Sequence, residues 1–426
     1  MINSTGNMLQ HMNRIKYFPF LLLLLLSVVL HAQDRNHISG KVVNAASGAP
    51  IPNASVFISS TSKGTMTDQT GSFSISNIPA GTYDLIISSI GYTTVVYSFT
   101  SDKLPLQLKV EMGAKTTELD VVTVEPFEVN GWEKWGKYFL DNFIGTTEAS
   151  KNCTIKNYKT IHFRYSKKNN TLTAIADEPL IIENNALGYR VQYQLEDFVS
   201  DFKEHTVFFL GYTLFEDMAK DRRRVPKRWQ DGRKNAYLGS MMHFIRSLYA
   251  GYIAEEGFET RRLFKEPNYE KQRVKQIAEH NARERMAVSR GQKVILSMTN
   301  VMGDSSEYYR RIMAQPDVKD ILATWTLNAD SLVTVTSDST KMLFFNDYLY
   351  VSYKKGREEY AYLQSQGEAS RKPWYPRSTV YLRGGNPITI EKNGFYFPPQ
   401  ELFNYGYWGW SEKISHMLPL DFKYEP

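Results

Sequence analysis

Of 426 residues a single one, Cys153, is cysteine, so no disulfide can form within the chain and its domains must be held by core burial alone. Charge of one sign is scarce as well. There are 51 lysines and arginines against 45 aspartates and glutamates, a net charge of +6. Spread along the chain, that surplus excludes the basic stripe of a nucleic-acid binder. Beyond the first 32 residues no apolar run reaches the ~20 residues of a membrane-spanning helix. Catalytic signatures are missing too. None of His162, His205, His243, His280 or His416 is followed by glutamate at HxxE spacing. HExxH, GxSxG, a Walker loop, CxxC and a GxGxxG behind a strand are all absent. The fragment "GDSS", Gly303 to Ser306, has the look of a hydrolase nucleophile block but no DxxH partner toward the C-terminus. These absences leave no metal site and no cofactor implied. Paired carboxylates for glycoside hydrolysis are defined by separation in space and cannot be picked from sequence.

What is present starts with an address. Arg14 and Lys16 precede the run "YFPFLLLLLLSVVL", and the small residue Ala32 follows it. This is the layout of a secretory signal peptide over residues 1–32. A membrane anchor is the competing reading, but the run is short for a span and breaks abruptly into "QDRNH". No cysteine follows it, which argues against a bacterial lipoprotein. The expectation is an exported protein, periplasmic or associated with the outer membrane. With 42% hydrophobic residues, the remainder has material for two or three domains.

From residue 36 to 113 the pattern is one of short alternating runs broken by Gly, Pro, Asn and Asp. "HISGKVVN", "ASVFISS", "GTMTD", "GSFSIS", "GTYDLIISSIGY", "TTVVYSF" and "LQLKVEM" make seven candidate strands, the signature of an antiparallel β-sandwich. Val56 and Ile58, Phe73 and Ile75, and Leu85 and Ile87 sit two apart, so each pair points to one face. "DQTG", Asp68 to Gly71, suits a type I turn. The ordered series "ISGKVVNAASGAPIPNASVFI" and "GTMTDQTGSFSISNIPAGTYDLIISSIGY" resembles the carboxypeptidase-regulatory-like domain, a transthyretin-like sandwich abundant in exported Bacteroidetes proteins. The resemblance implies an accessory module without catalytic residues. In those bacteria it often precedes the plug and barrel of TonB-dependent receptors, but the roughly 290 residues behind it here, with clear helices among them, are too few for plug and barrel together.

Residues 114–131 read as a linker, in which the apolar segment Leu119 to Val124 can serve as a last edge strand or pair with a partner by strand addition. Residues 132–426 read as an α+β domain with an antiparallel sheet and several helices. "WEKWGKYFLDNFIG" places Trp132, Trp135, Phe139 and Phe143 on one helical face, with Gly145 as the stop. "GSMMHFIRSLYAGYIAEEGF" predicts a helix with Ser240 as N-cap, an apolar stripe through Met241, Phe244, Ile245, Leu248 and Tyr252, and Gly257 at its end. "LTAIADEPLIIENNALGYRVQYQLEDF", "GRKNAYLGSMMHFIRSL" and "GYWGWSEKISHMLPLDF" together are similar to a Bacteroidetes domain of unknown function that recurs behind the regulatory-like sandwich.

Three groups carry the functional expectations. Arg233, Tyr237, Ser240 and His243 recur at three- to four-residue steps, which on one helix face would set His243 as acid or base and Arg233 as an anion clamp. Capping explains Ser240 equally well, and Gly239 interrupts the face. Arg222, Arg223, Arg224, Lys227 and Arg228, with Trp229 beside them, can meet anionic headgroups or an acidic glycan. Solvated loop is the alternative, and Pro226 favours it. The ring-rich terminal segment, with Tyr407, Trp408 and Trp410, can stack a sugar or simply fill a core. The sequence therefore points to a non-enzymatic envelope protein whose C-terminal region binds a glycan or an envelope protein. The alternative is a secreted glycan or peptide hydrolase with its site in that region.

Overall fold

The computed structural model describes residues 36–115, 125–288, 306–337 and 340–425. The signal-peptide reading, the segment Leu119–Val124 and nearly all of "GDSS" lie outside the described residues. The chain forms two compact units, the first running to Tyr237 and including the segment from Lys413 onward, the second spanning Leu238–Glu412.

In the first unit the alternating runs become β1 (His37–Asn44), β2 (Ser55–Ile58), β3 (Gly64–Met66), β4 (Ser72–Ser76), β5 (Thr82–Ser88), β6 (Val95–Thr100) and β7 (Leu106–Met112). They make two sheets, β4-β1-β7 and β3-β2-β5-β6. Val56, Ile58, Phe73, Ile75, Leu85 and Ile87 all enter the core between them. Each contributes ~1.5–3 kcal/mol by burial. One pairing departs from the antiparallel expectation: β1 and β7 run parallel, Ile38 beside Leu106 through Asn44 beside Met112. The first and last strands of the module are thereby neighbours, which local hairpin signals cannot reveal. The turn at Asp68 forms as read. Gly71 N donates to Asp68 O at 2.9 Å, and Asp68 Oδ1 accepts from the backbone of Thr70 and Ser72.

The rest of this unit is a six-stranded sheet backed by α1 (Gly131–Phe143). Its strands are β8 (Cys153–Ile155), β9 (Ile161–Ser166), β10 (Thr171–Ala176), β11 (Leu180–Asn184), β12 (Tyr189–Asp201) and β13 (Thr206–Asp217), followed by α2 (Lys227–Tyr237). Along one edge of β12, β11 pairs its first half and β10 its last residues, while β13 pairs the other edge throughout, with a bulge between Leu195 and Asp197. Phe139 and Phe143 of α1 stack at 4.8 Å and are fully buried, as their spacing predicts. The sandwich is fastened to this sheet by the loop after β2. Ser60 N donates to Thr213 O, Phe215 N to Thr61 O, and Leu420 N from the returning chain end to Ser60 O. These backbone bonds join segments more than 150 residues apart, so no local pattern announces them.

The second unit is built around α3 (Met241–Ala250). Phe258 opens β14 (Phe258–Pro267), followed by α4 (Tyr269–Val288), α5 (Ser306–Met313), β15 (Val318–Leu322), β16 (Val333–Val335), β17 (Lys341–Leu343) and β18 (Tyr348–Tyr353). Then come α6 (Tyr360–Ser365), β19 (Arg377–Leu382), β20 (Ile388–Ile390), β21 (Tyr396–Phe397), β22 (Leu402–Gly406) and α7 (Tyr407–Ser411). Two sheets result, β15-β14-β18-β19-β22 and β16-β17-β20-β21. Met241, Phe244, Ile245 and Leu248 of α3 share one core with residues of both sheets. The C-terminal end of α3 corrects the sequence reading. Gly251, at φ +85°, caps the helix in the left-handed conformation, and Tyr252 just past it is 61% exposed. Gly257 ends nothing helical. No described helix is long and apolar enough to cross a membrane.

Candidate functional site

His243 and Arg233 do not form the single polar face that their spacing allowed. α2 ends at Tyr237 and α3 begins at Met241, with Gly239 at φ +81° between them. Arg233 closes a site within the first unit. Its guanidinium grips Asp217 with two nitrogens, at 3.0 and 2.9 Å, and donates to the carbonyls of Leu187 and Gly188. It also lies 4.0 Å from the Tyr189 ring centre. Burial works to raise the Asp217 carboxyl, but the hydrogen bonds from Arg233 and from Ala219 N–H, with the guanidinium charge, hold it below the usual carboxylate range. Tyr237 is buried and packs against Phe422 and Tyr424.

His243 lies in the second unit and is 3% exposed. Gly239 N donates to its Nδ1 at 3.1 Å, which fixes Nδ1 as an acceptor and the proton on Nε2, 3.1 Å from Glu256 Oε2. Burial lowers its pKa, and this outweighs the raising effect of the Glu256 hydrogen bond. The imidazole is therefore neutral, with both ring nitrogens engaged, and orients the junction between Gly239 and the chain beyond α3. Ser240 is a cap: its Oγ accepts from His243 N at 3.1 Å. Ser240→Ala is expected to cost about 1 kcal/mol of stability, read as a shifted urea midpoint with unchanged slope.

The basic run is half loop and half helix. Pro226 stands immediately before α2 and so starts a helix where the sequence reading expected a loop throughout. Arg222, Arg223, Arg224, Lys227 and Arg228 are exposed. Trp229 is not available to a ligand: it is 2% exposed, donates from Nε1 to Asn185 O at 3.0 Å, and has the Arg222 and Arg228 guanidinium groups near its ring. Its ring is packed against Gly188, where a Cβ would lie 2.2 Å from the indole.

The ring-rich terminal segment divides by burial. Trp408 is 2% exposed and donates from Nε1 to Gly239 O at 2.8 Å, so it belongs to the core and offers no stacking face. Tyr407 and Trp410, one residue to either side of the Trp408–Gly409 pair, are half-buried and meet Tyr362 of α6, all three rings lying 5.1–5.4 Å apart. Two further rings, one in α6 and one in the chain after it, were missed by the sequence reading. Tyr360 is 65% exposed and Trp374 55%. The backbone at Trp374 is pinned by Glu358, whose buried carboxylate accepts from Arg371 Nη1 at 2.7 Å and from Trp374 N at 2.8 Å. Arg377 lies 3.8 Å from its other oxygen, and Glu358 N donates to Trp374 O. A signal existed in "REEYAYLQSQGEASRKPWYPR", where aromatic residues alternate with charge without an apolar period. Rings placed this way are not needed for a core.

Elsewhere, a shallow depression of about 620 Å³ lies on the β4-β1-β7 sheet, bordered by Ser39, Lys41, Gln107 and Lys109. Burial pushes the Cys153 thiol up to about 12, so it is no thiolate at neutral pH. No cluster of three potential metal ligands occurs among the described residues.

Residues 38–124 match the CarboxypepD_reg-like domain family. No curated protein matches the chain. Among solved structures, a cohesin–X-dockerin complex from Acetivibrio cellulolyticus is 29% identical over 18% of this chain and 58% of its own, with a TM-score of 0.17. A protein of unknown function from Bacteroides fragilis, described as membrane-associated, is 10% identical over 87% of this chain and 94% of its own, at TM-score 0.15. A protein from Bacteroides uniformis described as carbohydrate-binding is 12% identical over 44% and 81%, also at 0.15. Likenesses at these TM-scores do not establish a shared fold.

Proposed function

We propose that this chain is an exported, non-enzymatic accessory protein of a Bacteroidetes cell envelope, in which a transthyretin-like sandwich carries a region that binds a glycan. One observation carries the reading: Trp374 stands exposed on backbone that Glu358 pins, and Tyr360 stands exposed on α6, whose Tyr362 meets Tyr407 and Trp410. A ring face covers the apolar face of a pyranose, and a fixed ring loses little entropy on doing so. The match of residues 38–124 to a regulatory-like family supports an accessory role. His243 and Arg233 support binding over hydrolysis, because each is committed to holding its own unit together.

The test is binding of the purified full chain to immobilised surface polysaccharides. Trp374→Ala is expected to weaken capture about thirtyfold, the effect of losing one aromatic anchor, with thermal unfolding unchanged because the ring is exposed. Equal capture by the variant, or a chain that retains no polysaccharide and pulls down an envelope protein in its place, would sink the glycan reading.

A further inference from the structure

The outward face of the five-stranded sheet has a different chemistry from the Trp374 surface. In β18, Leu349, Val351 and Tyr353 point into the core, so Tyr348, Tyr350 and Ser352 point away from it. Val380 pairs with Leu349, and Tyr381 pairs with Phe403 on β22. The outward row therefore runs through Tyr348, Tyr381 and Phe403, with Tyr405 beside it. Ring centres are 5.4 Å apart for Tyr348 and Tyr381, 5.5 Å for Tyr381 and Phe403, and 6.5 Å for Tyr348 and Tyr405. All four rings are only partly buried.

A cation stands at each end of the row. Lys265 Nζ lies 4.7 Å from the Tyr348 ring centre and 5.2 Å from that of Tyr405. The Arg383 guanidinium lies 5.4 Å from that of Phe403. Both side chains are exposed, and neither makes an ion pair among the described residues, although Asp320, paired with Lys265 across β14 and β15, acts on that ammonium at longer range. Cations that pack on rings and make no ion pair keep their charge available to an outside anion. The same face holds a buried polar atom that makes no hydrogen bond: Ser352 is 2% exposed with its Oγ unpartnered. An unmade bond of this kind is costly.

We infer that this face binds an acidic polysaccharide, the rings stacking on successive sugars while Lys265 and Arg383 pair with their carboxylate or sulfate groups. The row crosses from β14 to β22, three inter-strand gaps or ~14 Å, the span of roughly three sugar rings. A neutral glycan would leave both cations unpaired. A lipid headgroup would present its charge at one point, whereas here the charges are separated by a row of tilted aromatic rings. The ligand class refines the glycan reading above, but the residues are other ones, so the two are separable.

The experiment compares the full chain, Lys265→Glu/Arg383→Glu and Trp374→Ala for binding to polygalacturonate, to dextran and to phosphatidylglycerol vesicles. The full chain should bind polygalacturonate, more weakly as salt rises. The double charge reversal should weaken that binding about tenfold or more with its dextran binding and unfolding midpoint unchanged. Equal polygalacturonate binding by the double variant overturns the inference. So does binding of dextran without polygalacturonate, which leaves the glycan reading standing, and so does binding confined to the vesicles. Binding of neither polymer overturns both.

Discussion

Arg233→Ala is expected to destabilise the first unit by about 3–5 kcal/mol, the usual cost of breaking a buried pair by removing one partner. The guanidinium is 8% exposed and makes four hydrogen bonds, two to Asp217 and one each to the carbonyls of Leu187 and Gly188. Truncation orphans the Leu187 carbonyl, leaves the Gly188 carbonyl with Met218 N–H alone, and removes the cation packed on Tyr189. Asp217 retains some contact with water, its side chain being 32% exposed, which favours the lower end of that range. Arg233→Lys should recover little, because an ammonium cannot serve a carboxylate fork and two carbonyls at once. Urea denaturation at neutral pH checks this, and a loss below about 1 kcal/mol would contradict a buried clamp. The Asp217 carboxyl, held low in the folded state, adds a pH signature. Its contribution is complete above the unfolded pKa, near 4, and is lost as pH falls through the lower folded value. In Arg233→Ala this acid-side loss should shrink.

The second large effect is expected from His416. Its ring is partly buried, with Nδ1 3.2 Å from Thr147 Oγ1, and desolvation lowers its pKa from 6.5 to about 4. The unfolded chain therefore takes up a proton in a range where the folded chain does not. Stability contributed by the neutral ring is fully present above about pH 6.5 and declines as pH falls toward 4, because protonation then favours the unfolded state. A separation of this size corresponds to about 3 kcal/mol across the window. His243, also lowered by burial, adds to the slope in the same direction but acts in the second unit. His416→Gln should flatten the decline between pH 6.5 and pH 4 for unfolding of the first unit. An unchanged slope in that variant would show that the ring is solvated or that another group titrates there.

Much of the sandwich was legible from residues alone. Strand alternation has a period of two and each turn is a local choice, so Phe73, Ile75, Leu85 and Ile87 could be assigned to the core and Asp68 to its turn without knowing any neighbour. Helix signals were nearly as good at the N-terminal end, where Ser240 caps as read. They failed at the C-terminal end, where Gly251 and Gly257 are equally suited to the left-handed cap and only packing chooses between them. The candidate site was legible in part. Tyr407 and Trp410 were singled out together with Trp408, but which of these three closely spaced rings turns inward depends on the sheet beneath α7. Glu358 gave no signal at all, since a glutamate in a charged stretch reads as solvated until Arg371 and the Trp374 backbone close over it.

The sequence by itself determined that this chain builds a β-sandwich and cores without disulfides, and that the common nucleophile, zinc and phosphate motifs are absent. These follow from residue identity and short-range periodicity. Only the tertiary structure decided that β1 closes on β7, that β17 and β18, four residues apart, enter different sheets, and that Tyr348, Tyr381 and Tyr405 share one outward face with Lys265. Such contacts join residues tens of positions apart. Their geometry is set by strand order and burial, which a linear pattern does not encode.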